Sequence, residues 1–192
     1  MRTKKKLDEP EPLPIDFCIT LDNSGSMGQG NGSDLQKVKD AAKDFVGRRN
    51  LSMDRFGVVR FDSTASKLLA LSNIRSRICS AIDSIGSGGS TDFAPALAES
   101  ADVLRESAGL RKKVVLFFTD GGTSNVSESL QKAQQLRNSG IIICAVATED
   151  ADRSCLTEMT ENSDLVIIAR GGDIANAFKQ AETAITDIVC RY

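Results

Sequence analysis

Short, unbroken apolar runs alternate along this chain with longer stretches in which apolar residues recur every three or four positions. The first pattern predicts strands buried on both faces, the second helices that bury one side. Ile15–Leu21 opens the series as a strand. In Asp34–Arg49, Leu35, Val38, Ala42, Phe45 and Val46 share a helical face, and Ser33 with Gln36 forms a capping-box pattern at its start. Phe56–Phe61 and Lys67–Leu71 read as the second and third strands, and their short connection predicts an antiparallel pair. Ile74, Ile78, Ile82 and Ile85 predict a helix over Ser72–Ile85, with Gly86 as its stop.

A flexible loop, Gly86-Ser87-Gly88-Gly89-Ser90-Thr91, then leads to a helix carrying Phe93, Leu97, Ala101, Leu104 and Ala108 on one side. Val114–Thr119, Ile141–Ala147 and Leu165–Ala169 are the remaining strands. Helices are expected over Ser127–Ser139 and Arg153–Thr160. A last one, capped by Asp173, turns Ile174, Ala177, Phe178, Ala181, Ile185 and Val189 inward. Continuous apolar strands separated by helices predict an α/β fold: a doubly wound, mostly parallel sheet of about six strands, covered on both faces. There is no internal repeat and no second core. Residues 1–13, basic and then rich in Pro and Glu, read as a solvated tail; the basic start lacks the apolar segment of a signal peptide.

Composition narrows the chemistry. The 192 residues carry 24 Lys+Arg against 26 Asp+Glu, which argues against nucleic-acid binding. The absence of His removes a Ser-His-Asp triad and any His-ligated metal. The longest apolar run, Ile141–Ala147, is far short of the ~20 residues that span a bilayer. Cys18, Cys79, Cys144, Cys155 and Cys190 are odd in number and lack a C-x-x-C pair, so they are expected to be reduced thiols in a cytoplasmic protein.

In doubly wound sheets ligands sit beyond the carboxyl ends of the strands. After the first strand stands Asp22-Asn23-Ser24-Gly25-Ser26-Met27-Gly28, and after the fourth Asp120-Gly121-Gly122. Chain reversal after the third strand would place these two ends side by side. Two carboxylates about 6 Å apart repel by about 3 kcal/mol at an effective dielectric of about 20, and a dication removes that repulsion. The neighbouring donors are the hydroxyls of Ser24, Ser26 and Thr91. Such an all-oxygen set selects a hard ion, Mg²⁺ first and Mn²⁺ or Ca²⁺ as alternatives.

Asp22-x-Ser24-x-Ser26, Thr91 and Asp120 resemble the metal-ion-dependent adhesion site (MIDAS) of the von Willebrand factor type A family, over about Pro14 to Val189. The resemblance implies the sheet order 3-2-1-4-5-6 with the third strand antiparallel, a domain over residues 14–192, and a binding module rather than an enzyme. In that family the two Ser and the Thr coordinate by hydroxyl and the Asp residues directly or through water; a partner's Asp or Glu completes the shell. The implied partner-binding rim is Met27, Gly28, Gln29, Ser90, Asp92, Gly122 and Thr123. Each is read as a contact or as plain exposed loop, and Asp92 also as the cap of the helix beginning at Phe93. Partners by analogy are an AAA+ ATPase or a kinase/phosphatase system. Since the last helix runs nearly to Tyr192, any pull on it is expected from a separate subunit. Two other classes stay open: Mg²⁺-dependent phosphoryl transfer, disfavoured by Ser at position 24 and by the missing Walker motif, and a structural subunit with incidental metal.

Overall fold

A computed structural model of the chain describes residues 13–191; apart from Leu13, the expected tail over 1–13 lies outside them. Six strands, β1 (Ile15–Asp22), β2 (Arg55–Phe61), β3 (Ala65–Ser72), β4 (Lys112–Thr119), β5 (Ile141–Ala147) and β6 (Val166–Ile168), form one sheet in the order β3-β2-β1-β4-β5-β6. Every pairing is parallel except β2 with β3. Both features match the order and polarity that the resemblance implied. The helices are α1 (Asp34–Arg48), α2 (Arg75–Asp83), α3 (Phe93–Arg105), α4 (Val126–Asn138), α5 (Arg153–Thr160) and α6 (Ile174–Arg191).

Alternation along the strands divides the core in two. Phe17, Ile19, Leu21, Phe56 and Val58 meet α1, α2 and α6, whereas Cys18, Val59, Phe61 and Phe117 meet α3, α4 and α5. At Gly57 the sheet admits α3 at unusually close range: a Cβ there would lie 2.3 Å from Val103 Cγ1. Bare backbone at that point seats α3, and with it the loop that enters its amino end.

Several boundaries depart from expectation for identifiable reasons. Ser72 pairs with Phe56, so it extends β3 instead of starting a helix; α2 begins only at Arg75. Ile74 is therefore exposed at 44%, and Ile85 reaches the core from beyond the helix end. Ala108 lies past α3, and Leu165 closes a short 3-10 turn ahead of β6. Ser33 accepts the Gln36 amide as expected (3.2 Å), but the Gln36 side chain turns forward to Asp40, leaving the capping box half formed.

At the amino ends of the strands, Asp16 is fully buried. It accepts from Arg55 Nε (2.9 Å) and Nη2 (2.5 Å) and from Arg111 Nε (2.7 Å). Arg111 also donates to Met53 O at 2.5 Å. Burial alone would push this carboxyl up, but the hydrogen bonds from Arg55 and Arg111 outweigh it and hold the group below its ordinary 3.8. Relative to the unfolded chain, folding therefore favours the charged form. That contribution is full above 3.8 and disappears as pH falls through the lower folded value.

Asp16→Asn should lower stability by about 3 kcal/mol at neutral pH. Its deficit against the parent should shrink below pH 3.8, measurable by urea denaturation at several pH values. Burial pushes the Cys18 and Cys155 thiols up to about 11 and Cys144 to about 12, whereas Cys190 is exposed. A thiol reagent should therefore modify Cys190 in the native protein, and Cys18, Cys144 and Cys155 only after unfolding.

Candidate metal centre

The parallel run of β1 beside β4 carries Asp22 and Asp120 to the same edge of the sheet. Asp22 ends its strand fully buried, yet it is not left without donors. Its Oδ1 accepts the Ser24 amide at 2.8 Å, an Asx-type turn that reverses the chain at once. Its Oδ2 accepts the Thr119 hydroxyl at 2.7 Å. The turn brings Ser24 Oγ to 3.1 Å from Ser26 Oγ, and Ser26 Oγ donates to Asp120 Oδ1 at 3.0 Å. Thr148 fixes the third arm by donating to the Asp120 carbonyl at 3.0 Å.

Asp22, Ser24, Ser26 and Asp120 thus form one continuous hydrogen-bonded chain. Thr91 lies on the neighbouring loop. Its carbonyl accepts the Ser124 amide at 2.9 Å, and its hydroxyl has no hydrogen-bond partner among the described residues. Gly89 enables the approach of that loop: its φ is +82°, and a Cβ would lie 2.7 Å from Asp62 Cγ. Gly25 N donates to Gly89 O at 3.0 Å, lacing the two loops together.

Both carboxyls are pushed above the ordinary 3.8. For Asp22 burial is the main cause and the charge of Asp120 adds to it, against the bonds from Ser24 and Thr119. For Asp120 burial again leads, and the carboxylates of Asp34 and Asp150 push the same way against Ser26. The sign is opposite to that of Asp16: the folded chain binds these protons more readily than the unfolded one. Charging the pair costs nothing below 3.8 and its full amount above the raised values. A dication held by these oxygens would offset that cost. No group of three or more His, Cys, Asp or Glu side chains suited to a metal occurs among the described residues. The donors that Asp22, Asp120, Ser24 and Ser26 would offer a cation are all oxygens, the chemistry that suits a hard ion.

Among the expected rim residues Met27 alone is buried, and it does not belong there. Met27 is 1% exposed and packs into the core on the α1 side, because the short 3-10 turn at Gly25–Met27 points it inward. Asp92 caps α3 by accepting the Ala94 amide (3.0 Å), the capping role that its sequence position also predicted. Thr123, partly exposed, accepts from Phe93 N (3.0 Å) and meets Ser129 Oγ (3.1 Å), so it also joins α3 to α4. Gln29 is exposed, but its amide donates to Ser87 O at 3.1 Å. Gly28, Ser90 and Gly122 keep accessible surface on the three loops that carry Ser26, Thr91 and Asp120. Thr119 and Thr148 went unnoticed in the sequence, although Thr119 immediately precedes Asp120 and a hydroxyl there was a usable signal.

A family model described as von Willebrand factor type A domain matches residues 16–185. The human collagen alpha-6(VI) chain is 28% identical over 170 residues, 84% of this chain but only 7% of the collagen's length. The vWF domain of a type V pili tip protein from Porphyromonas gingivalis superposes with a TM-score of 0.82 at 13% identity, covering 93% of this chain and 97% of that one. Proximal thread matrix protein 1 from the mussel byssus, solved with a zinc-occupied MIDAS motif, gives 0.79 at 24% identity over 93% of this chain and 46% of its own. At these identities the structural likenesses speak for the fold.

Met27→Ala should cost about 2–5 kcal/mol, as truncation of a core side chain does. Ser90→Ala should stay within about 0.5 kcal/mol of the parent. Equilibrium unfolding of both variants checks the division between core and rim.

Proposed function

The chain belongs to the von Willebrand factor type A family, and on that footing we propose that it is a divalent-cation-dependent protein-interaction module. Domains of this family are in general protein-interaction modules, often metal-dependent. The observation that carries the proposal is the hydrogen-bonded chain Asp22–Ser24–Ser26–Asp120, with its two carboxyls pushed up at the strand ends.

Asp22, Ser24, Ser26, Thr91 and Asp120 would hold Mg²⁺, or Mn²⁺ or Ca²⁺ in its place. The bound cation supplies Lewis acidity toward one further carboxylate. The chain's own residues do the rest. Asp22, fixed by Thr119 and the Ser24 amide, provides charge from beneath. Ser24 and Ser26 contribute neutral oxygens, so the protein neutralises the dication without adding a third negative charge. Net electrophilicity toward a partner's Asp or Glu follows from that balance. Gly28, Ser90 and Gly122 add little bulk to the loops that carry these donors. The zinc-occupied motif in the mussel protein supports divalent binding at the corresponding motif there.

The cytoplasmic setting belongs to the same proposal, supported by the five free cysteines; so does a partner of the AAA+ ATPase or kinase/phosphatase type, which rests on analogy alone. Among the described residues no helix is long and apolar enough to cross a membrane. Phosphoryl transfer has less support, since the donor set places no carboxylate at position 24 to serve as base.

Mg²⁺ at 100 times its dissociation constant should stabilise the protein by about 2.7 kcal/mol, roughly 5–10 °C in melting temperature for a domain of this size. Asp120→Ala and Thr91→Ala should both weaken Mg²⁺ binding and shrink that shift, Thr91→Ala retaining part of it, while keeping the parent's circular dichroism spectrum. Partner capture from lysate should be lost on chelation. Equal capture with and without chelator, or Mg²⁺-dependent phosphoester turnover abolished by Asp22→Ala, would overturn the reading.

A further inference from the structure

The segment leading to Thr91 is gripped residue by residue from one side. Ile85 O accepts from Lys39 Nζ (2.7 Å), Gly86 O from Asn23 Nδ2 (2.8 Å) and Ser87 O from Gln29 Nε2 (3.1 Å). The Gly88 amide then donates to Asn23 O (2.8 Å), and Gly89 O accepts from Gly25 N (3.0 Å). Each residue from 85 to 89 is bonded to a group within residues 23–39, the segment that also carries Ser24 and Ser26.

A loop of glycines and serines has high conformational freedom and would not by itself place a hydroxyl to a fraction of an ångström. Asn23 is 3% exposed, and its Oδ1 has no partner among the described residues, so its carboxamide is oriented by the Gly86 bond alone. Lys39 projects from the middle of α1, half-buried, and bonds none of the proposed ligands. Its ammonium makes a charge-assisted bond just past the carboxyl end of α2, where a cation is also favoured by the helix dipole.

We propose that Lys39, together with Asn23 and Gln29, is a positioning residue of the cation site: it sets the location of Thr91 relative to Ser24 and Ser26 by clamping residues 85–87. The inference rests on the cation-binding reading above. It has a sign of its own. Removing a positive charge near the site would tighten cation binding if Lys39 acted only through its field. Loosening the Thr91 loop weakens it.

The test uses the full chain, Mn²⁺ titrations by calorimetry, and amide hydrogen exchange of the cation-free protein. Lys39→Met should weaken Mn²⁺ binding about tenfold, the range seen when supporting residues of metal ligands are removed. It should also speed exchange at residues 86–90, and Lys39→Arg should restore both. In a Thr91→Ala background Lys39→Met should have no further effect on affinity, because the two act on one ligand. Unchanged or tighter Mn²⁺ binding by Lys39→Met, unchanged exchange at 86–90, or an additive loss in the Thr91→Ala background would overturn the proposal. If Lys39→Met fails to fold, Gln29→Met at its exposed position takes its place with the same expected signs. A parent chain that takes up no Mn²⁺ would instead defeat the cation reading itself, and this inference with it.

Discussion

A carboxylate with no exposed surface has to be compensated, and the way Asp22 is compensated organises the carboxyl edge of this sheet. One oxygen takes the Ser24 amide and so forces the turn that presents Ser24 and Ser26. The other takes the Thr119 hydroxyl and so ties β1 to β4, the strand that delivers Asp120. Neutral donors satisfy the hydrogen-bonding capacity of the group but cannot cancel its charge. The carboxyl is accordingly left above its ordinary pKa, and a second carboxyl stands in the same condition beside it.

Asp16 shows what the fold does when the charge is meant to be neutralised internally. It lies on the same strand and the same face as Asp22, and both are fully buried. Around Asp16 two arginines close in, and the carboxyl is held low. That end of β1 braces the starts of β2 and β4 and has no electrostatic demand left to meet. At the other end no lysine or arginine bonds Asp22 or Asp120 among the described residues: the donors are an amide and hydroxyls. One strand thus carries a closed ion pair at its start and an open charge at its end. The contrast separates scaffold from site, because substitutions among the oxygens of the upper edge leave the brace and both halves of the core untouched.

The strands and helices were legible wherever burial imposes a period. Ile141–Ala147 and Arg153–Thr160 have the bounds that their patterns predict. The isoleucine series at 74, 78, 82 and 85 misled at both ends, since Ile85 is buried by the chain turning back, not by helical geometry. At the site, the stretch Asp22–Ser26 was readable because one tight turn fixes its direction. Met27 was not placed correctly, although a lone large apolar side chain in a Gly/Ser loop is a burial signal in itself. The roles of Thr123, Gln29 and Lys39 left no trace in spacing. Each depends on a contact to a distant backbone group, and the donor's identity says nothing about which carbonyl it will meet.

That last class of contact explains how a site of this kind tolerates such soft material. Three of its arms come from different places in the chain, and two of them run through glycine-rich segments that by themselves specify little. Rigidity is supplied from beneath: Gly57 lets α3 sit directly on the sheet, Thr123 and Asp92 hold the first turn of α3, and the donors on residues 23–39 hold the loop ahead of it. The small residues can then serve access. Gly25, Ser90 and Gly122 are exposed and Gly28 partly so, and they lie on the same loops as Ser26, Thr91 and Asp120, so those loops carry little side-chain bulk. A surface so bare offers few contacts for telling one acidic ligand from another. On the proposed reading, affinity would reside in the five oxygen-bearing side chains, while discrimination would fall to larger groups farther out, such as Asp34 and Asp150, whose charges already reach Asp120.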